Sequence, residues 1–163
     1  MTGAIVLLAL VTAQRLGELV LARRNTARLL AQGGVEHGAA HYPAIVALHA
    51  AWLGGLWLLA WDRPIHFGWL ATYLVLQGLR AWVLLSLGPR WTTRIITMPG
   101  ETLVRRGPYR FVSHPNYLVV AGEIAVLPLA FGAWEIAAIF SLLNLSLILH
   151  RIRVEDAALK DRR

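Results

Sequence analysis

A chain of 163 residues that is 57% hydrophobic and only 15% charged lacks the charge to cover a soluble domain of its size. A net charge of +7 would suit nucleic acid, but the basic residues flank apolar runs rather than forming a soluble face, so no nucleic-acid partner is expected. The absence of cysteine excludes disulfides, thiolate metal sites and a thiol nucleophile.

The apolar residues fall into runs long enough to cross a bilayer. The expected fold is therefore all-α: one integral membrane domain over 1–163, a helical bundle of about five transmembrane helices. The first run, 3–22, has neither a basic leader nor a small-residue cleavage site and reads as a retained span. It contains Gln14, Arg15 and Glu18. Arg15 and Glu18 are three apart and can pair on one helix face. Either they orient the span as a structural ion pair, or Glu18 or Gln14 lines a cavity for a lipid-like substrate. Gly33-Gly34 and Pro43 bracket an amphiphilic connector expected at the interface. His37 and His41 have helical spacing for a metal, but Pro43 interrupts that helix. Six scattered histidines cannot supply the boxes of a diiron oxidoreductase, so no metal is expected and these histidines, His41 among them, read as interfacial or substrate-contacting.

Runs 43–61 and 67–88 complete three N-terminal spans within 1–88. Most of the seven tryptophans sit near run ends, as in an interfacial belt. Trp91, beside Thr92, Thr93 and Arg94, opens the next loop and can stack on a ligand. Runs 117–132 and 134–150 are short and meet at Gly132-Ala133, which predicts a tight helical hairpin; one bent, partly re-entrant element is the alternative. Thirteen of the sixteen Lys and Arg residues follow spans one, three and five, and Arg63 alone lies on the opposite side. An alternating path then places the N-terminus outside and the C-terminus in the cytoplasm, with a bacterial inner membrane as the expected location.

Two polar clusters share the basic side. Gly107-Pro108-Tyr109-Arg110-Phe111-Val112-Ser113-His114-Pro115-Asn116-Tyr117 is pinned by two prolines. Arg151-Ile152-Arg153-Val154-Glu155-Asp156 follows the last run, and Arg151 and Glu155 are one helical turn apart. Alone, that pair would be an ordinary surface pair; beside the first cluster it points to a site.

Tyr109-Arg110, His114-Pro115-Asn116-Tyr117, Glu123 and the Arg151–Asp156 terminus together resemble the isoprenylcysteine carboxyl methyltransferase family of integral membrane methyltransferases. Gln14-Arg15-Leu16-Gly17-Glu18, Arg24-Asn25, Gly33-Gly34-Val35-Glu36 and His41-Tyr42-Pro43 resemble its bacterial branch acting on alkylresorcinols and alkylpyrones. The resemblance implies S-adenosylmethionine as cofactor, held in 89–163. His114 and Tyr117 would contact it, the backbone of Pro115, Asn116, Tyr117 and Leu118 would cradle it, and Tyr109 would offer its sulfonium an aromatic face. Glu155 would lie near the cofactor or the acceptor, and Arg151 would face the reacting oxygen. These two would be catalytic, with Glu18, His41, Trp91 and Arg151 toward a lipophilic substrate drawn from the membrane lipid. The implied reaction is O-methylation of a carboxylate, or of a phenol or enol, which needs a base such as Glu155 or His114. Three positions depart from the pattern: Ser113 stands for an arginine, Val119 for a glycine and Asp156 for a second glutamate. A non-catalytic membrane subunit, and a small quinone- or haem-linked redox protein using His41, His49 or His114, are the rival expectations. Oligomeric state is not encoded in any of these features.

Overall fold

Uninterrupted apolar sequence gives five α-helices among the described residues, and the breakers between them set their ends. The computed structural model describes residues 2–100 and 102–160. Helix α1 is Thr2–Ala31, α2 Tyr42–Leu59, α3 Phe67–Leu87, α4 Pro115–Ala130 and α5 Trp134–Ala158. Four of them are long and apolar enough to cross a membrane, and α4 is shorter. Its 16 residues span about 24 Å, against about 30 Å of hydrocarbon. The last two runs form the expected hairpin, with separate helices joined through Phe131-Gly132-Ala133. Gly132 takes a positive φ of 64° there, and Ala133 N–H bonds back to the Pro128 carbonyl. The bent single element is not what forms.

Two helices outrun their apolar stretches. α1 continues to Ala31 because nothing breaks it before Gly33-Gly34, so Arg23, Arg24 and Arg28 are helical. α5 continues to Ala158 and carries Arg151, Glu155 and Asp156 on the membrane helix itself. Arg162 and Arg163, used in the topology argument, lie outside the described residues.

The core of α4 is enclosed by α3 and α5, with Tyr117, Val119, Glu123, Ile124 and Leu127 all buried. At one end of the bundle Leu8, Trp52, Leu56, Tyr73, Leu127 and Phe131 pack together. Trp52 belongs to this core, donating from Nε1 to the Ile124 carbonyl at 3.2 Å, and is not part of an interfacial belt. Trp61, Trp69, Trp82 and Trp134 are exposed, as a belt requires.

Midway along the bundle four charges close a ring. Arg15 pairs with Glu18 at 3.2 Å and with Glu123 at 2.9 Å. Arg80 reaches Glu18 at 2.5 Å and Glu123 at 2.9 Å. Gln77 donates to Glu123 at 2.7 Å, and Gln14 donates to Gln77 at 2.7 Å and to Glu18 at 3.0 Å. Two cations and two anions therefore neutralise one another where isolated charge would be costly. The Arg15–Glu18 pair forms, but as one side of a ring tying α1, α3 and α4.

The connector after α1 is not a simple interfacial segment. Its Val35–His37 strand, β1, pairs antiparallel with β2, Ile95–Thr97, with Glu36 opposite Ile96. This ribbon ties the N-terminal half to the loop after α3. We call the end of the bundle that carries it the basic face.

Candidate active site

Proline sets the site's geometry. Pro115 occupies the first turn of α4, and the residue before a proline is driven out of the helical region. His114 accordingly sits at φ −128°, ψ 58°, and α4 starts with Asn116 and Tyr117 in its opening turn. The His114 and Tyr117 rings stack at 5.5 Å and 19°. Across from them, α5 presents Arg151 and Glu155.

The Tyr117 hydroxyl joins these two residues. It donates to Glu155 Oε2 at 2.5 Å and accepts from Arg151 Nε at 3.3 Å. The Arg151 guanidinium also lies 5.5 Å from the Tyr117 ring centre, and its Nη2 donates to the Thr93 carbonyl at 3.1 Å. His114 completes the group, with Nε2 3.0 Å from Asp156 Oδ1 and Nδ1 3.7 Å from Glu155 Oε2.

These groups face a cavity of about 740 Å³ at the basic face, within the range of small-molecule sites. One wall is β2 with Trp91 and Thr92; another is the 102–110 segment; α4 and α5 close the rest. Arg90, Arg94, Arg105, Arg110 and Arg151 line it, and among the described residues Glu155 is the one carboxylate in the wall. Trp91 is buried on Ala22, Val83 and Val119, and Asn25 on α1 holds its carbonyl at 2.8 Å. The Trp91 Nε1 and the Asn116 Oδ1 are buried without hydrogen-bond partners among the described residues, a donor and an acceptor in residues of the cavity wall.

Of the residues singled out in the sequence, the cavity gathers Trp91, Tyr109, His114, Asn116, Tyr117, Arg151 and Glu155. Pro115 sits behind it as the helix start. Leu118 points away, 63% exposed, because it is turned from Tyr117 by one helical step. His41 packs edge-on against His150 at 5.0 Å, beside α5 and outside the lining. Glu18 belongs to the ion ring and borders a separate cleft of about 420 Å³ with Gln14, Gln77 and Arg80. His49, a residue of the redox expectation, bonds the Ile45 carbonyl within its own helix. Sequence reasoning missed the β2 wall and its braces: Tyr42 Oη on Thr93 Oγ1 at 3.0 Å, Arg94 over the Tyr42 ring at 4.1 Å, and Arg94 on Glu36 at 2.6 Å. Three-residue strands leave almost no alternation to read.

Electrostatics shift the titration of two groups at the site. The Glu155 carboxylate, with Asp156 behind it, holds the His114 imidazole above its ordinary value. Burial, reinforced by Glu155, pushes the Tyr109 phenol up, so it stays protonated. Stability from charged His114 is therefore present in full below about pH 6.5 and is lost as pH rises through the raised value. The stability difference between the parent protein and His114→Gln should shrink across that window in thermal melts in detergent. A pH-independent difference would place the imidazole outside this ion pair.

The model of the isoprenylcysteine carboxyl methyltransferase family matches residues 69–161. The chain belongs to this family. Two relatives match along nearly their whole length. "Uncharacterized protein YpbQ" of Bacillus subtilis (strain 168) is 39% identical over 160 residues, 95% of this chain and 95% of its own. An "Uncharacterized protein" of Haemophilus influenzae (strain ATCC 51907 / DSM 11121 / KW20 / Rd) is 24% identical over 157 residues, 93% of this chain and 91% of its own. No solved structure matches the chain. Membership in the isoprenylcysteine carboxyl methyltransferase family makes the protein a membrane methyltransferase, and the family generally uses S-adenosylmethionine. The matched stretch contains every residue of the cavity wall except Leu29.

Proposed function

We propose that the protein methylates an oxygen of an amphiphilic phenol or enol, using S-adenosylmethionine bound in the basic-face cavity. The observation that carries this reading is the Tyr117 hydroxyl held between Arg151 and Glu155 at the wall of that cavity. The unpaired Trp91 Nε1 and Asn116 Oδ1 and the aromatic rings of Tyr109 and Tyr117 fit a ligand that has both a purine and a cationic centre. Arg90 and Arg94, on the β2 side of the wall, fit its carboxylate. When bound, the cofactor supplies an electrophilic methyl group.

The residues then divide the remaining work. Positioning donor and acceptor in line contributes most of the rate, and the short first turn of α4 with the α5 face does the positioning. Arg151, with one nitrogen on Tyr117 and another on the Thr93 carbonyl, is fixed as a cation for a developing oxyanion. Glu155 has lone pairs beyond the one that Tyr117 occupies, and one can take the proton of a phenol or enol. A carboxylate acceptor would need no such base, and this favours the phenol or enol over an acid. The bacterial-branch resemblance of the N-terminal half points the same way.

Calorimetry on detergent-solubilised protein with S-adenosylhomocysteine should give saturable heat, and the ligand should raise the melting temperature. No heat and no shift at millimolar ligand would overturn the cofactor assignment. Alkylresorcinols and fatty acids offered with a labelled methyl donor then separate phenol from carboxylate. The basic face is proposed as cytoplasmic in a bacterial inner membrane, with the N-terminus outside. An epitope at the C-terminus should resist protease in intact spheroplasts and be cut after lysis; cutting before lysis would invert the assignment.

A further inference from the structure

The segment leading into His114 lies along the outside of a membrane helix. Arg106 Nε donates to the Ser86 carbonyl at 2.8 Å. Gly107, at φ 58°, rests so close to α3 that a Cβ would fall 2.0 Å from Ser86 Oγ and 3.2 Å from Trp82 Nε1. The Phe111 ring reaches the Trp82 ring, 6.4 Å between centres. Trp82 is 43% exposed on the same helix as Leu85, which is 79% exposed. It also stands five residues, about 7.5 Å, before the end of α3. Phe111, 75% exposed, and Val112, 40% exposed, therefore add to the lipid-facing surface of a spanning helix, alongside its last turns and short of its end. Around them Arg105, Arg106 and Arg110 are exposed, and the sequence from Thr102 to Ser113 contains no acidic residue.

We propose that Arg105–Val112 is an interfacial anchor for anionic phospholipid, in which the three guanidiniums take headgroup phosphates while Phe111 and Val112 sit among the acyl chains. Two observations select this occupant. The apolar part is continuous with the surface that lipid already covers, and the charge beside it has one sign. Arginine stems lie along apolar surface while their heads stay at the phosphate level, and each basic group near an anionic leaflet adds to the attraction. The anchor goes beyond the methyl-transfer reading and needs no substrate to be tested. It also has a direct line to the site, since Tyr109 of this segment lines the cavity and His114 follows three residues after Phe111.

The chain has no cysteine, so Phe111→Cys provides a unique spin-label position. The labelled full chain would be reconstituted in phosphatidylcholine vesicles and in vesicles of equal parts phosphatidylcholine and phosphatidylglycerol. Collision with oxygen reports the acyl region, and collision with a nickel chelate reports water. The label should be oxygen-accessible and nickel-protected with phosphatidylglycerol. Severalfold more nickel access is expected in phosphatidylcholine alone, and with Arg105→Gln, Arg106→Gln and Arg110→Gln combined. A label at Leu85→Cys must stay apolar in every sample as the check on folding, and Val112→Cys replaces Phe111→Cys if that variant does not fold. Nickel access in both lipids would overturn the anchor. Equal protection in both lipids, unchanged by the arginine substitutions, would overturn the headgroup recognition.

Discussion

Arg151→Ala and Glu155→Ala should each lower methyl transfer by more than about a hundredfold while leaving the protein folded in the membrane. A hundredfold is about 2.7 kcal/mol of transition-state stabilisation. Two exposed partners one turn apart on a helix would contribute about 0–1 kcal/mol to stability and nothing to rate. Here, however, they meet through the Tyr117 hydroxyl at 2.5 and 3.3 Å, with Arg151 also bound to the Thr93 carbonyl. Arg151→Lys keeps the charge and loses the planar fork, so it should rescue little. Tyr117→Phe keeps the ring against His114 and removes only the bridge. Turnover and S-adenosylhomocysteine affinity should be measured together. Lost turnover with retained affinity assigns a residue to the acceptor side, and loss of both assigns it to the cofactor side. Near-normal turnover in both alanine variants would remove α5 from the chemistry.

Glu123→Ala should be the most destabilising single change in the bundle, costing about 3–5 kcal/mol. Glu123 is fully buried and is paired with both Arg15 and Arg80. Without it two arginines face Glu18 alone in the membrane interior. Denaturant unfolding in mixed micelles measures the loss. Adding Arg80→Met should recover part of it, because the pair is then removed together rather than halved. A cost below about 1 kcal/mol would mean that water or lipid headgroups already solvate the ring.

How far the sequence anticipates this molecule depends on the distance between the interacting residues. Long apolar runs announce the helices because hydrocarbon thickness sets their length. Their ends are less visible: α1 and α5 continue into polar sequence that lacks a breaker. Arg15 and Glu18 are three apart, so their pairing is legible. Arg80 is 62 residues beyond Glu18 and Glu123 43 beyond Arg80, and only packing brings them together. In the site, the spacing of Arg151 and Glu155 shows a shared face. That Tyr117 would bridge them depends on how α4 is rotated against α5, which no local pattern encodes. Nor does any local pattern pair His41 with His150, 109 residues further on, although their rings meet edge-on.

The brevity of α4 bears on how the proposed amphiphilic acceptor would reach the methyl donor. The far end of α4 is level with the start of α3, where His66 N–H bonds the Ala130 carbonyl. Counting 16 residues back against the 21 of α3 leaves Pro115 about 7 Å short of the opposite end. The proposed site is thus set in a well sunk below the rim of its neighbours. An acceptor with a long tail can present its oxygen there without being lifted toward water. Each methylene dragged out of the acyl region would add about 0.8 kcal/mol to the barrier. The rate should then vary little with tail length, and the tail would act as a tether to the correct depth.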